Sequence, residues 1–329
     1  MATALFALLV VGALAVGSLF AATLELRAGS ESIHQTRAIM AAELGVEQTL
    51  SSWSRGWNGA FGRGYGRTWM FATPEGADVA VTLTRLADDL FLVTSAARAG
   101  PARRQVARVV RLDVADPLLL ATLAARVPVD PGTGVDGSDH APPEWDCPEA
   151  SGAIAQFVVA DTNSLLRFGQ FDWLTLTTLA GTRAGELVIG AAPRFTDEEC
   201  DTSDQLNWGE PMRSNGGACT GYFPVIYAAG DLVIAGGRGQ GVLVVDGDLT
   251  LGGGFEFYGA VLVRGALLAG PGGARLTGVV SLALEGSIPP ALDGLTIDFS
   301  RCVVRKALLG LATPVPLVER SWSEGFFEK

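Results

Sequence analysis

Acidic side chains are concentrated at residues 197–204, in a loop region that also contains Cys200 and Cys219. Its four candidate ligands are Asp197, Glu199, Asp201 and Asp204. Carboxylate oxygens are the ligands that calcium prefers, so this segment is a candidate calcium site, although its spacing matches no EF-hand loop. The alternative is a solvated loop closed by a disulfide, which is the interpretation that we prefer.

A second set of carboxylates consists of Asp231, Asp246 and Asp248. Carboxylates exposed on a strand face can act as general acid and base on glycosidic bonds, which would make the chain a carbohydrate-cleaving enzyme. However, Asp231 and Asp248 each follow a glycine in a turn, where an Asp side chain usually accepts hydrogen bonds from backbone amides. We therefore expect this protein not to be an enzyme.

The chain has four cysteines, Cys147, Cys200, Cys219 and Cys302. None lies in a C-x-x-C pair, and His34 and His140 are the only histidines, so neither a zinc site nor another cofactor is expected. In an exported protein four cysteines predict two disulfides, and the sequence does not choose among the three pairings. Our working expectation is Cys200–Cys219 with Cys147–Cys302.

Composition and net charge argue against one class of function, nucleic-acid binding. The 329 residues are 48% apolar and 18% charged, with a formal net charge of -11. An acidic chain argues against a dedicated nucleic-acid binder. Residues 54–69 interleave three arginines with four aromatic residues, a pattern that can stack on single-stranded nucleic acid. We interpret this segment as a glycine-rich connection instead, and expect no nucleic-acid partner.

The N-terminal segment is the most informative part of the sequence. Residues 1–24 carry no charge, and as a helix they would span about 36 Å, enough for a bilayer core of about 30 Å. Apolar residues continue at near-helical spacing to Trp53, with charges between them. The pattern predicts one helix over residues 1–53. No basic residue precedes the apolar run, so we expect Met1 to be a processed N-terminus.

This segment resembles the type IV pilins, and in particular the minor pilins of the PilX class. The resemblance lies in the charge-free start, the Thr-Leu-Glu turn and a run that contains Gln35, Arg37, Ala41, Ala42, Glu43 and Gln48. It implies a structural subunit that waits in the inner membrane and then joins other pilin subunits in an extracellular filament. The expected assembly residues are Met1, Leu5, Phe6, Leu9, Val10, Leu14, Val16 and Phe20.

One position departs from the family pattern. Most pilins have Glu at the fifth mature position, where its carboxylate neutralises a neighbour's N-terminal ammonium, whereas this chain has Leu5. A buried, unpaired ammonium is costly, so the departure favours a subunit at the filament tip. The alternatives are a type II secretion pseudopilin of the K class, or a membrane-anchored carbohydrate-binding β-solenoid protein.

The rest of the chain is predicted to be β-rich. Residues 77–114 alternate as three antiparallel strands that pack on the helix. The expected fold class is α+β: a long pilin-type helix on an antiparallel β-meander, then a C-terminal β-solenoid. The expected domains are residues 1–53 (helix), 54–127 (meander head), 128–148 (linker) and 149–329 (β-rich domain).

The β-solenoid is predicted from repeated apolar segments over about 225–302, which recur roughly every 18 residues with Gly-Asp at two turns. The alternative is an antiparallel sandwich. Residues 153–161, 172–180 and 185–192 are expected to be further strands. A helix near 302–311 is expected to cover open strand edges, with the C-terminal tail packing on the solenoid or a neighbouring subunit. If the surface domain serves adhesion, Trp208 and Tyr222 are the exposed side chains that would hold a surface or a sugar.

Overall fold

The computed structural model describes residues 2–60, 62–113, 121–129, 134–143, 145, 147, 152–168, 171–211, 217–285, 290–317 and 322–325. The chain divides into two compact units. The helix–sheet unit comprises residues 1–53, 61–111 and 314–329, and the parallel-strand unit comprises residues 54–60 and 112–313. The second unit is therefore inserted into the chain of the first.

The helices are α1 Ala2–Ser51, α2 Trp57–Ala60, α3 Thr162–Leu165, α4 Trp173–Leu179 and α5 Arg301–Leu309. The first strands are β1 Gly66–Ala72, β2 Asp78–Arg85, β3 Leu90–Ala99, β4 Ala102–Asp113, β5 Leu123–Ala125, β6 Val135–Asp136, β7 Phe157–Val159, β8 Arg167–Phe168, β9 Phe171–Asp172, β10 Thr182–Ala184, β11 Leu187–Ala191, β12 Phe195–Thr196 and β13 Glu199–Cys200. The later strands are β14 Val225–Ala228, β15 Leu232–Val245, β16 Leu249–Gly252, β17 Phe255–Val263, β18 Leu267–Ala269, β19 Ala274–Leu282, β20 Leu295–Asp298, β21 Thr313–Pro316 and β22 Trp322–Gly325.

The helix–sheet unit is a meander laid on the C-terminal part of α1. Strands β1 to β4 pair antiparallel in chain order, and β21 and β22 both lie beside β4. Alternate residues of β2 and β3 are buried, which places one face of the sheet against the helix. The predicted helix and the three predicted strands are all present.

Two expectations for this unit need correction. Residues 66–69, the end of the segment interpreted as a glycine-rich connection, belong to the edge strand β1, because Gly66 to Ala72 pair with β2 along nearly its whole length. The described part of the C-terminal tail, residues 322–325, pairs with β4 and not with the parallel strands, since an antiparallel edge of the meander is available there. Packing of the tail on a neighbouring subunit stays a prediction.

The parallel-strand unit repeats one chain path. Val225 pairs with Val242, Val242 with Ala260, and Ala260 with Val279, at offsets of 17, 18 and 19 residues, and each pairing is parallel and in register. We call each such repeat a rung. A rung contributes one strand segment to a narrow sheet (β11, β15, β16, β18) and two to a wide one (β10, β14, β15, β17, β19, β20). The buried apolar side chains of successive rungs form one continuous core between them.

Glycines mark the bend between the two wide-sheet segments of each rung. Gly241, Gly259 and Gly278 are register partners, and all three have positive φ. A Cβ atom on Gly259 would lie far under 3.0 Å from the carbonyl oxygen of Gly241, and one on Gly278 would meet Gly259 in the same way. Only glycine permits rungs to approach this closely at the bend.

The Gly-Asp turns have a different purpose. Asp231 Oδ1 accepts a hydrogen bond from the backbone N–H of Asp248 at 2.8 Å, and Asp248 Oδ1 accepts one from Ala266 N at 2.7 Å. Each carboxylate thus satisfies an amide of the next rung, as an Asp in a turn commonly does. A Cβ on Gly247 would collide with Asp231, which explains why glycine precedes the repeated Asp.

Segments that precede the repeats in the sequence pair with the last rungs of the stack. Strand β5 pairs with β19, β7 pairs with β5, and β6 pairs with β20, all in parallel. The predicted linker at 128–148 therefore contains a strand, and residues 112–148 belong to this unit because they close its last rungs. Cys147–Cys302 fastens this region and is called the closing disulfide below; Cys200–Cys219 is the loop disulfide. Both expected pairings are confirmed.

Helices cover the outer face of the wide sheet. Val304, Ala307 and Leu308 of α5 pack on the outward side chains of β15, β17 and β19. The helix predicted near 302–311 is present, but it covers a sheet face rather than open strand edges. Residues 172–180, predicted as a strand, contain α4, because the Asp172 side chain accepts a hydrogen bond from Thr175 N and caps the helix.

Candidate assembly surface

The N-terminal part of α1 exposes apolar side chains on all sides. Leu14, Val16 and Phe20 are 69%, 68% and 65% exposed, and Leu19 and Leu26 are equally accessible. Residues 14, 16 and 20 do not share one helical face, so no single docking stripe could bury them. A helix that is apolar all round requires a surrounding bilayer or a bundle of other helices.

The structure locates only some of the predicted assembly residues fully. Leu5, Phe6, Leu9 and Val10 belong to α1, but their side chains are outside the described part of the structure. Met1 is outside it entirely. Leu14, Val16 and Phe20 are fully described. In the described residues one helix, within Val11–Ser51, is long and apolar enough to cross a membrane by length and composition.

Two hydroxyls in the described part of the apolar segment are hydrogen-bonded within α1. Ser18 Oγ donates to the carbonyl oxygen of Ala15 at 2.9 Å, and Thr23 Oγ1 donates to that of Phe20 at 2.7 Å. Such back-bonding satisfies hydroxyls inside an apolar medium. These two hydroxyls can therefore enter lipid or a protein bundle without being left unsatisfied.

The C-terminal part of α1 is held on the meander by close packing. Gly45 approaches the sheet so closely that a Cβ there would lie under 3.0 Å from Ser95 and from Val79. Trp53 meets Phe91 edge-on with ring centroids 5.3 Å apart. Ala38 and Ala42 are fully buried at the same contact. Small residues on the helix let it lie flat on the sheet.

Two arginines of β4 add polar contacts to the helix. Arg104 Nη2 donates to Gln35 Oε1 at 2.9 Å, and Arg108 Nη1 lies 2.9 Å from Glu47 Oε1. These positioning residues were not identified from the sequence. Alternation along β4 could have found them, because Arg104 and Arg108 share parity with the buried Val106.

The acidic segment does not present the predicted adhesive tryptophan. Trp208 is completely buried, since it lies over the parallel core edge-on to Phe255, and its Nε1 donates to the carbonyl oxygen of Gln205. Tyr222 is half-buried. Trp208 therefore cannot hold a surface or a sugar, and this expectation is wrong.

The four candidate calcium ligands are dispersed over separate contacts. Asp201 accepts hydrogen bonds from the backbone N–H and hydroxyl of Ser203, and Asp204 Oδ1 accepts one from Leu206 N. Asp197 and Glu199 are exposed. Over the described ranges, no three His, Cys, Asp or Glu side chains are grouped closely enough to hold a metal ion. Calcium binding stays a prediction from the sequence.

The carboxylates considered for catalysis are engaged in the turns. Asp231 and Asp248 accept the rung-to-rung hydrogen bonds described above. Asp246 forms an ion pair with Arg264 and accepts a hydrogen bond from the Tyr227 hydroxyl at 3.2 Å. Burial, followed by the charge of Asp246, raises the pKa of the Tyr227 phenol, so it remains a donor.

Comparison with known proteins gives little further information. No protein-family model matches the chain. No curated protein matches it. The crystal structure of the competence-associated pilin ComZ from Thermus thermophilus aligns with 90% of this chain and 98% of its own, at 12% identity and a TM-score of 0.27. A TM-score this low does not establish a common fold.

Proposed function

We propose that this protein is a structural subunit of a type IV pilus-like filament and that α1 is its assembly element. The single observation that carries the proposal is that one unbroken helix is apolar and exposed all round at one end and packed on a meander at the other. The first part suits a membrane before assembly and a helical bundle afterwards, and the second part fixes a folded head to it.

The parallel-strand unit is, on this proposal, a β-solenoid carried by the head. The parallel, in-register pairing of successive rungs and the bend glycines support this assignment. Its role is structural or adhesive rather than catalytic. Leu5, which replaces the usual Glu, supports a place at the filament tip, where no subunit above needs its ammonium neutralised.

The test compares two lysine substitutions in cells that make filaments. In Leu14→Lys a charge replaces an exposed side chain near the middle of the uncharged segment, whereas in Ile33→Lys it replaces an exposed side chain where charges already occur. A lysine at the centre of an apolar helix costs about 3 kcal/mol, roughly a hundredfold in the equilibrium. Quantitative mass spectrometry of sheared filaments and of membranes measures where each variant resides.

We expect the parent chain and Ile33→Lys in the filament fraction and Leu14→Lys lost from it. A low amount of parent chain relative to a smaller pilin, with a methylated Met1 peptide, supports the tip position. A dominant amount refutes the tip position and leaves the subunit role intact. A parent chain that stays in membranes and is absent from filaments refutes the filament proposal.

A further inference from the structure

The outer face of the meander, away from α1, contains a depression of about 510 Å³. Its floor is formed by the small residues Ala80 and Ala96. Met70 of the edge strand β1, which is 80% exposed, forms one wall. Because its floor and this wall are apolar, the depression is suited to an apolar side chain from outside.

Two arginines border the depression. Arg98 and Arg103 are register partners on β3 and β4, so two like charges stand directly opposite each other. Asp78, the register partner of Arg98 on β2, also lines the depression, so its border carries two positive charges and one negative charge. Both arginine side chains are exposed, and among the described residues neither guanidinium has a carboxylate within ion-pair distance; Arg98 Nε donates to the carbonyl oxygen of Gly100. Like charges opposite each other across strands are destabilising, and an incoming anion relieves the repulsion.

A matching feature lies on the parallel-strand unit. Strands β12 and β13 form a small hairpin with Asp197 and Glu198 at its two-residue turn. Phe195, 46% exposed, precedes the turn, and Glu199 follows it. Asp197, Glu198 and Glu199 are exposed and form no ion pair within the described residues. We call residues 195–199 the acidic hairpin.

The acidic hairpin is held in a defined shape. Cys200, at its base, is joined to Cys219 by the loop disulfide, and Thr196 Oγ1 donates to Asp201. Asp197 and Glu198 have φ of 52° and 67°, a conformation that costs about 1 kcal/mol or more for residues other than glycine. A rigid hairpin loses little entropy when it binds, which favours a docking role.

Charge favours a second copy of this chain as the partner. Residues 61–111 carry eight arginines and four acidic residues, whereas residues 112–313 carry 24 acidic residues and 11 basic ones. The basic surface with an apolar depression and the acidic hairpin with an exposed phenylalanine are therefore complementary in both charge and polarity. Contact between different surfaces of successive copies is heterologous, and such contacts generate open helical assemblies.

We propose that the acidic hairpin of one copy docks in the meander depression of the next, with Phe195 against Met70 and the turn carboxylates on Arg98 and Arg103. The contact joins the heads of neighbouring copies, and it does not depend on α1 or on the proposed filament function. It would give successive subunits a second, directional contact on the solvent side of the assembly.

The experiment uses the full chain in detergent micelles, with p-benzoylphenylalanine replacing Phe195 as a photo-crosslinker. Equal amounts of nitrogen-15-labelled and unlabelled chains are mixed, illuminated and digested. We expect a crosslinked peptide between residue 195 and the strand containing Met70, in which the two halves carry different isotopes. A crosslink whose halves always share one isotope, or one located elsewhere, overturns the proposal.

Charge variants test the electrostatic part. Arg98→Glu with Arg103→Glu should lower the mixed-isotope crosslink about tenfold or more, because carboxylates then face carboxylates. Arg67→Glu with Arg111→Glu, the same change of charge on exposed residues of β1 and β4 outside the depression, should leave it unchanged.

A partner variant provides the rescue. Asp197→Lys with Glu198→Lys should restore the crosslink when mixed with the Arg98→Glu, Arg103→Glu chain, even if either variant alone fails to associate. Raising the ionic strength from about 0.05 M to about 0.5 M should weaken the parent crosslink. A crosslink that neither salt nor the charge variants change refutes the assigned contact.

Discussion

The glycine bend allows a stability prediction with an internal control. In Gly259→Ala the new Cβ would lie far under 3.0 Å from the carbonyl oxygen of Gly241, at a φ of 155° that residues other than glycine rarely adopt. In Gly254→Ala the φ is also positive, 69°, but no heavy atom lies within 4 Å of the new Cβ. The two substitutions are chemically identical and differ in the space available and, to a smaller extent, in the backbone strain.

The expected costs follow from this difference. At Gly254 only the backbone strain applies, about 1 kcal/mol. At Gly259 the backbone strain costs about 2 kcal/mol. In addition, the two rungs must separate locally, which breaks at least one buried backbone hydrogen bond and costs about 2 kcal/mol more. We therefore expect a loss of about 4 kcal/mol at Gly259. In a unit of this size that lowers Tm by roughly 8 to 16 °C, against about 2 to 4 °C at Gly254.

Scanning calorimetry of the full chain in detergent, under non-reducing conditions, measures both variants. The transition of the parallel-strand unit should shift, and that of the helix–sheet unit should not, because Gly259 lies in β17. Equal shifts for Gly259→Ala and Gly254→Ala would refute the reasoning that close approach between rungs requires glycine.

Three further predictions concern α1, the disulfides and acid. Gly45→Ala should destabilise the helix–sheet unit, because the new Cβ would collide with Ser95. Gly29→Ala, whose Cβ meets no other atom, should stabilise α1 by about 0.5–1 kcal/mol. Chemical denaturation measures whether the free energy of unfolding falls in the first variant and rises in the second. Removing the closing disulfide, which joins residues 155 positions apart, should lower the free energy of unfolding by about 5 kcal/mol. Removing the loop disulfide, which joins residues 19 positions apart, should lower it by about 3 kcal/mol. A larger loss for the loop disulfide in unfolding experiments would contradict this estimate from chain entropy. The backbone N–H of Ser138, followed by the His140 hydrogen bond, lowers the pKa of Asp136 from 3.8 to about 2. Its stabilising contribution is therefore present above pH 3.8 and is lost as the pH falls through about 2, so Asp136→Asn should flatten the acid-unfolding curve in that window.

Local patterns were sufficient for the elements that repeat or alternate. The unbroken helix, strands β2 to β4 and the recurring apolar segments each depend on a periodicity that the chain displays directly. The edge strand β1 was missed because Gly62, Gly64 and Gly66, at and just before its start, are typical of a loop. Its pairing with β2 is a contact between segments that only the folded chain brings together.

The sequence-based predictions failed where contacts between distant segments, or a single helix cap, determine the structure. Residues 172–180 alternate like a strand, yet Asp172 caps them as a helix. Trp208 lies in a polar segment, and only the folding of that segment over the end of the core buries it. The depression beside Arg98 and Arg103 depends on the register of two strands, which single-residue patterns do not reveal.

The insertion of the parallel-strand unit between residues 111 and 314 makes the number of its rungs adjustable. Both ends of the unit return to the same meander, and β5 and β6 complete its last rungs whatever the number of rungs before them. Adding or deleting a repeat of about 18 residues would extend or shorten the stack by about 4.8 Å and leave α1 and its sheet untouched. The size of the parallel-strand unit and the structure of the helix–sheet unit can therefore evolve separately.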